Sequence, residues 1–172
     1  MFRLRLLKFI LLWLLHPKKG LMDEHVLEMR AWPFIDVDVT RMFLFAFVRG
    51  FTFGRYQLVF GSEFRGFAFK RGWYPMTTAE INYLYRPVKI FEKFTIHSRI
   101  ICWNERKFYA EQILKVRGAV RSRSLVEGLI GGPGVFLKPT EVFKEMGILR
   151  DSPPMTAEVA AWIESRPRPS TP

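Results

Sequence analysis

The chain has 172 residues, of which 49% are hydrophobic and 16% aromatic, and its formal net charge is +11. This length suits a single domain with its own core, and the hydrophobic content excludes a disordered chain. One cysteine, Cys102, and three histidines far apart in sequence exclude a disulfide scaffold and a structural zinc site, so we expect neither metal nor cofactor. The basic charge favours anionic partners, but without a recognised RNA- or DNA-binding motif nucleic acid is not the expected one.

Residues 1–22 form a basic, hydrophobic leader without a single acidic residue. Its apolar run, Leu6 to Leu15, is about half the length that a membrane-spanning helix needs. The pattern therefore predicts a helix that contacts membrane lipid or a hydrophobic protein subunit, through Phe9, Ile10, Trp13 and Leu14. The alternative is a helix that packs on the protein's own domain. Because such leaders are also typical of mitochondrial targeting segments, the expected location is a membrane, specifically the mitochondrial inner membrane.

The first half of the domain is predicted to contain one strand and one long helix. Residues 25–30 alternate in hydrophobicity and indicate a strand, which Trp32-Pro33 ends. The run from Met42 to Phe60 is almost wholly apolar and too long for a strand, so it predicts one buried helix. Gly50 and Gly54 in this run would permit close approach of another element.

The second half is predicted to be a sheet followed by two short helices. The expected strands are Met76–Tyr85, Lys93–Trp103, Lys107–Val116 and Ala119–Ile130. In Lys93–Trp103, alternation predicts one face with Phe94, Ile96, Ser98, Ile100 and Cys102. Thr140–Met146 and Thr156–Ser165 indicate helices with Thr140 and Thr156 as N-caps, and residues 166–172 are a Pro-rich tail. Residues 23–165 therefore predict an α+β domain with an antiparallel sheet beside one long helix.

The order of short motifs resembles that of hot-dog-fold thioesterases. The motifs are Trp32-Pro33, Asp36-Val-Asp38, Arg71 to Pro75, Arg86-Pro87, Trp103, Phe108 to Gln112, Val126 to Gly128, Ser152 to Pro154 and Ala161-Trp162. The chain is similar in this respect to 4-hydroxybenzoyl-CoA thioesterases and to membrane-associated thioesterase-superfamily proteins. The resemblance implies a sheet wrapped around one long helix, dimers in which sheets join, and acyl-CoA as a ligand.

The resemblance also implies a catalytic carboxylate on the loop before the long helix. Asp38 is the candidate nucleophile or general base on the thioester, with Asp36 beside it as the weaker candidate. The family continues with a His and two Asn at the helix start, but this chain has the apolar residues 42–45 there. Since these cannot orient a carboxylate, we expect a degenerate site in which Asp38 instead caps the helix.

Two further groups of residues are candidates for ligand contact. Phe43, Phe45 and Phe47 could line an acyl chain or a partner, or could simply pack in the core. Arg117, Arg121 and Arg123 could bind the phosphates of CoA, or could form a solvated strand face.

These observations favour a thioesterase-like protein that has lost catalysis. The predicted function is a structural or assembly subunit of a membrane-associated complex, for example a mitochondrial respiratory one, with a homo-oligomer or hetero-complex formed through the sheet. The alternative is an active acyl-CoA thioesterase at a membrane surface that uses Asp38.

Overall fold

The structure is a computed structural model, and it describes residues 7, 9, 18–33, 36 and 40–166. The strands are β1 (His25–Arg30), β2 (Tyr74–Leu84), β3 (Lys93–Trp103), β4 (Phe108–Val116), β5 (Ala119–Gly132) and β6 (Val135–Leu137). The helices in this part of the chain are α1 (Leu44–Phe60), α2 (Phe64–Arg71), α3 (Pro139–Glu145) and α4 (Ala157–Glu164). The predicted α+β architecture is confirmed, whereas α2 and β6 were not predicted.

The sheet is antiparallel throughout, with the strand order β1-β3-β4-β5-β2 and with β6 paired to the end of β5. Alternation along the strands gives the sheet two faces. On the inner face, Phe47, Phe51 and Phe53 of α1 pack with Ile96 and Leu114 in the main core. The long apolar run therefore forms the predicted buried helix, because its aromatic side chains cover this face of the sheet.

The outer face is covered by α4. Cys102, Tyr109 and Leu125 of the sheet pack there against Val159 of α4. The prediction that Cys102 shares a face with Phe94 and Ile96 was wrong, because the register of β3 against β4 shifts between Ile100 and Cys102 and turns Cys102 outward. Cys102 is a buried strand residue, and burial raises the pKa of its thiol.

Close packing of α1 on the sheet depends on Gly54. A Cβ atom at this position would lie 2.6 Å from Nε2 of Gln112 and 2.8 Å from Oγ of Ser98. At Gly50 the nearest atom, Cδ1 of Ile96, would be 3.3 Å away. The close approach expected at both glycines is therefore required at Gly54 and is looser at Gly50.

Contacts of the domain extend slightly beyond the predicted bounds at both ends. Lys19 forms a backbone bridge with Ser62, and Leu21 is buried in a second core cluster with Trp73. At the other end, Arg166 donates a hydrogen bond to Glu127 of β5. Helix α3 begins earlier than predicted. Its N-cap is Lys138 rather than Thr140, because Pro139 occupies the first turn of the helix.

Candidate functional site

The start of α1, where the resemblance predicts the active site, is apolar in its described residues. Phe43 occupies the N-cap position with an extended backbone and makes no side-chain capping hydrogen bond. The first turn contains no acidic residue. Leu44 and Phe45 are exposed, Phe45 to 77%. This helix start therefore holds apolar groups where a thioester carbonyl would need polar side chains for orientation and stabilisation.

Asp36 is buried in structural contacts close to this helix start. Its side chain is 2% exposed: Oδ2 accepts a hydrogen bond from the Trp32 backbone N–H at 3.0 Å, and Oδ1 accepts one from Nη2 of Arg49 at 3.2 Å. The two bonds close the turn after β1 and tie it to α1, because Arg49 is a helix residue. Asp36 thus holds the loop in place. Asp38 lies outside the described residues, so its proposed role stays a prediction.

The three phenylalanines predicted to contact an acyl chain or a partner separate into two environments. Phe47 is buried in the main core, as the core-packing alternative expects. Phe43 and Phe45 are on the surface at the start of α1. Only these two are placed where a ligand or another molecule could contact them.

The three arginines predicted to bind CoA phosphates do not act as one group. Arg117 lies in the turn between β4 and β5, beside a cleft also lined by Lys93 and Lys115. Arg123 lies on the outer face, where Glu111 at 2.6 Å and Glu158 at 2.7 Å neutralise its charge. Arg121 is half-buried on β5, and its carbonyl oxygen accepts hydrogen bonds from the backbones of residues 85 and 86. Of the three, Arg117 is thus the one exposed beside other cations.

A row of polar side chains crosses the inner face beneath α1. Neighbouring strands place His25, Ser98, Gln112, Ser124 and Asn82 opposite one another in register. The Gln112 side chain donates to the Phe51 carbonyl oxygen at 2.9 Å. Each residue lies in a different strand, so no local spacing in the sequence indicates the row.

Beside this row, the carboxylate of Glu80 in β2 is paired. Nη1 of Arg55 in α1 donates to Glu80 at 2.9 Å and also to Oε1 of Gln112 at 3.1 Å. Asn82 donates to the other oxygen of Glu80 at 2.6 Å. Both carboxylate oxygens of Glu80 are therefore engaged in hydrogen bonds.

The outer face holds a cluster of buried carboxylates that was not predicted from the sequence. Glu127 in β5 is buried and accepts hydrogen bonds from Lys107, Arg166 and Thr78 at 2.7 to 2.8 Å. Burial alone would raise the pKa of Glu127, but hydrogen bonds from Arg166, Lys107 and Thr78 outweigh it and lower the pKa to about 2. Burial and the neighbouring Glu127 raise the pKa of Tyr109 to about 12. Glu127 is thus permanently ionised and weakly basic at neutral pH, which fits a structural role.

Glu111 has the same character. It accepts hydrogen bonds from Arg99 at 2.7 Å and from Arg123 at 2.7 Å. Burial would raise its pKa, but the bonds from Arg99 and Arg123 keep the pKa below its ordinary value. The available signal for Glu111 and Glu127 was an acidic residue next to apolar residues within a predicted strand, and only the strand register identifies their partners.

The described part of the leader contacts the domain. The ring of Phe9 lies 5.3 Å from that of Phe53 and packs against the main core, as the alternative of a leader lying on its own domain expects for this residue. Ile10, Trp13 and Leu14 lie outside the described residues, so their contact with lipid or a partner stays a prediction. Among the helices described, none is both long and apolar enough to cross a membrane.

Comparison with known proteins identifies the fold. No protein-family model matches the chain, and no curated protein matches it in sequence. Among solved structures, the probable thioesterase YbaW from Escherichia coli superposes with a TM-score of 0.65 at 12% identity, over 73% of this chain and 98% of that one.

A probable thioesterase from Bartonella henselae gives a TM-score of 0.56 at 16% identity, over 67% and 98% of the two chains. The hypothetical protein SAV2348 from Staphylococcus aureus, solved in complex with CoA, gives 0.61 at 12% identity, over 81% and 92%. The chain therefore has the hot-dog fold of these thioesterase structures, as the order of its motifs led us to expect.

Proposed function

We propose that this protein is a hot-dog domain that does not hydrolyse thioesters and serves as a structural or assembly subunit of a membrane-associated complex. The start of α1 carries this proposal. Phe43, Leu44 and Phe45 stand where hydrolysis requires polar groups, and Phe43 at the N-cap position makes no capping hydrogen bond. A misplaced or unsupported base loses orders of magnitude in rate, because positioning contributes several kcal/mol to catalysis.

The carboxylates near α1 support the same proposal. Asp36 is bonded to Arg49 and to the Trp32 backbone, and Glu80 is bonded to Arg55 and Asn82. Neither is available to attack a carbonyl or to activate water without breaking contacts that hold the fold.

A subunit role is supported by an open sheet edge. Within the described residues β2 pairs with β5 on one side, and no strand pairs with its other side. Such an edge can accept a strand of a second chain, either a copy of this protein or a different subunit. The basic leader supports association with a membrane, and we propose the mitochondrial inner membrane as its location.

An active acyl-CoA thioesterase is the second candidate, favoured by the CoA bound to the similar structure from Staphylococcus aureus. The two candidates differ in one measurement. The purified full-length protein is incubated with acyl-CoA esters of short, medium and long chains and with an aryl-CoA, and the released thiol is followed. We expect release at the rate of buffer alone, both for the wild type and for Asp38→Asn. If the wild type hydrolyses any of these esters and Asp38→Asn abolishes the hydrolysis, the proposal is wrong and the protein is an acyl-CoA thioesterase.

The membrane role has a separate test. Removing residues 1–19 should move the protein from the membrane fraction to the soluble fraction, with the thermal melting curve checked because Phe9 packs on the core. If the full-length protein is already soluble without detergent, the membrane role fails.

A further inference from the structure

Exposed apolar side chains gather at the end of the domain where α1 begins. We call them the apolar tip: Trp32, Phe43, Leu44, Phe45 and Phe91. Exposed hydrophobic residues are ordinary when scattered, but a contiguous group of large ones marks a contact surface.

Backbone hydrogen bonds hold the segments of the apolar tip side by side. The N–H of Met42, just before α1, donates to the carbonyl oxygen of Val88 at 2.8 Å. The N–H of Phe91 donates to the carbonyl oxygen of Ala31 at 2.8 Å. The rings of Trp32 and Phe91 meet edge to face with centroids 6.0 Å apart. The end of β1, the start of α1 and the loop between β2 and β3 therefore form one surface.

Cationic side chains lie beside this surface. We call them the cationic rim: Arg30, Arg41, Lys89, Lys93, Lys115 and Arg117. Arg30, Lys93 and Arg117 line one cleft together with Phe91 of the tip, and Arg41 and Lys89 are joined by a backbone bridge. The carboxylates that line the same clefts are Glu28 and Glu92. Positive charge therefore predominates around the apolar tip.

The backbone at this end is also unusual. Within the described residues, Phe91 and Arg117 are the non-glycine residues with positive φ, at 62° and 50°. Both lie on the same cleft between tip and rim. At Arg117 the positive φ belongs to the two-residue hairpin turn formed with Gly118, whereas at Phe91 it is held by the hydrogen bond from the Phe91 N–H to the Ala31 carbonyl oxygen.

We infer that this end of the domain docks on an anionic phospholipid bilayer, with the apolar tip inserted at the headgroup level and the cationic rim contacting lipid phosphates. The inference deepens the membrane role proposed above and rests on it. Aromatic side chains favour the interface between water and hydrocarbon, and Lys and Arg close to the surface are attracted by anionic lipid. Cations on several strands and loops beside an apolar group match an extended negative surface, which favours a bilayer over a protein partner.

Insertion of the apolar tip into a bilayer is measured with an environment-sensitive fluorophore attached to the full-length protein. Phe45→Cys places the label in the tip, and Phe136→Cys is the matched control, because Phe136 is also exposed but lies on β6 at the far end of β5. The native Cys102 is buried and stays unlabelled. With vesicles of phosphatidylglycerol and phosphatidylcholine, the label at position 45 should shift to the blue and brighten, and the label at 136 should not. Vesicles of phosphatidylcholine alone should produce neither change.

The rim is tested by charge removal. Lys89→Gln combined with Arg117→Gln should weaken binding to the anionic vesicles about 20- to 30-fold, since each cation near the surface contributes about fivefold. The control pair, Arg106→Gln with Lys144→Gln, removes two exposed cations elsewhere and should leave binding within about twofold.

The outcomes separate this inference from the proposals on which it rests. If the protein binds vesicles while the label at 45 remains in water, the leader alone anchors it and the docking surface is wrong. Equal changes on neutral vesicles, or a change at 45 produced only by a protein partner, would also overturn the inference. If the protein bound neither kind of vesicle, both the docking surface and the membrane role would be wrong. The proposal that the protein does not hydrolyse thioesters is tested independently of both.

Discussion

The helices α1 and α4 cover opposite faces of the sheet, and they begin differently. In α4, Oγ1 of Thr156 accepts a hydrogen bond from the N–H of Val159, as the sequence predicted. Glu158 in its first turn bonds to Arg123 at 2.7 Å. In α1, Phe43 is the N-cap residue, its side chain makes no capping hydrogen bond, and the first turn has no acid.

This difference indicates what each helix start contributes. A side-chain N-cap stabilises a helix by about 1 kcal/mol, and an acid in the first turn adds about 0.5 kcal/mol. The start of α4 has both contributions, whereas Phe43 and the first turn of α1 supply neither. Since α1 is held by the core packing of Phe47, Phe51 and Phe53, its first residues are available for contact with another molecule.

The largest expected effect is on the α4 side. Glu127→Gln keeps the shape of the side chain but leaves Lys107 and Arg166 without their buried anion, and should lower the free energy of unfolding by about 3 kcal/mol. Glu158→Gln is the control: its carboxylate is 40% exposed, so less than about 1 kcal/mol should be lost. Urea unfolding of both variants measures the difference, and equal losses would contradict a structural role for Glu127.

Acid should remove the same contribution. Because the pKa of Glu127 is lowered from 4.5 to about 2 in the folded protein, the unfolded chain binds its proton first as the pH falls. The contribution, about 3 kcal/mol, is complete above about pH 4.5 and is lost as the pH falls towards 2. Urea midpoints measured from pH 6 to pH 2.5 should fall less steeply for Glu127→Gln. Parallel curves would show that Glu127 is not the group responsible.

On the α1 side, the middle of the helix should be intolerant of added volume. Gly54→Ala places a methyl group 2.6 to 2.8 Å from the buried Gln112, Ile96 and Ser98, so overpacking should exceed the gain in helix propensity and cost about 1–2 kcal/mol. Gly50→Ala should be neutral or stabilising, since its methyl group has more room. Thermal unfolding compares the two, and a stabilised Gly54→Ala would refute the close packing of α1 on the sheet.

The smallest effects concern the two caps and should have opposite signs. Phe43→Ser places a capping hydroxyl at the N-cap position of α1 and should stabilise the protein by about 1 kcal/mol. Thr156→Ala removes the existing cap of α4 and should destabilise it by about 1 kcal/mol. Chemical unfolding measures both, and a loss of stability in Phe43→Ser would mean that Phe43 contributes packing that outweighs a cap.

Much of the fold could be predicted because hydrophobic periodicity is local. β3 was predicted with its observed bounds, and α1 follows from an apolar run too long for a strand. The pattern could not reveal α2, because Gly61 and Ser62 separate it from α1 and Gly66 interrupts it. It could not reveal the shift at Cys102 either, because an irregularity in strand pairing leaves no local mark in the sequence.

The candidate site was less predictable, because its chemistry depends on partners distant in sequence. The order of the motifs predicted the hot-dog fold, and the residues that follow Asp38 in the sequence predicted an apolar start of α1. That Asp36 is bonded to Arg49, or Arg123 to Glu111, depends on helix placement and strand register rather than on spacing. For the same reason the cationic rim could not be predicted from the sequence, because its residues come from several separate strands and loops.

Hydrogen exchange at the two helix starts tests most directly whether the start of α1 is a contact surface rather than an active site. Exchange is followed by mass spectrometry for peptides covering residues 43–48 and 156–161, with anionic vesicles or with a soluble short-chain acyl-CoA. We expect vesicles to slow exchange in 43–48 about tenfold or more, with no change in 156–161 and no effect of acyl-CoA on either peptide. Protection of 43–48 by acyl-CoA and not by vesicles would contradict the account.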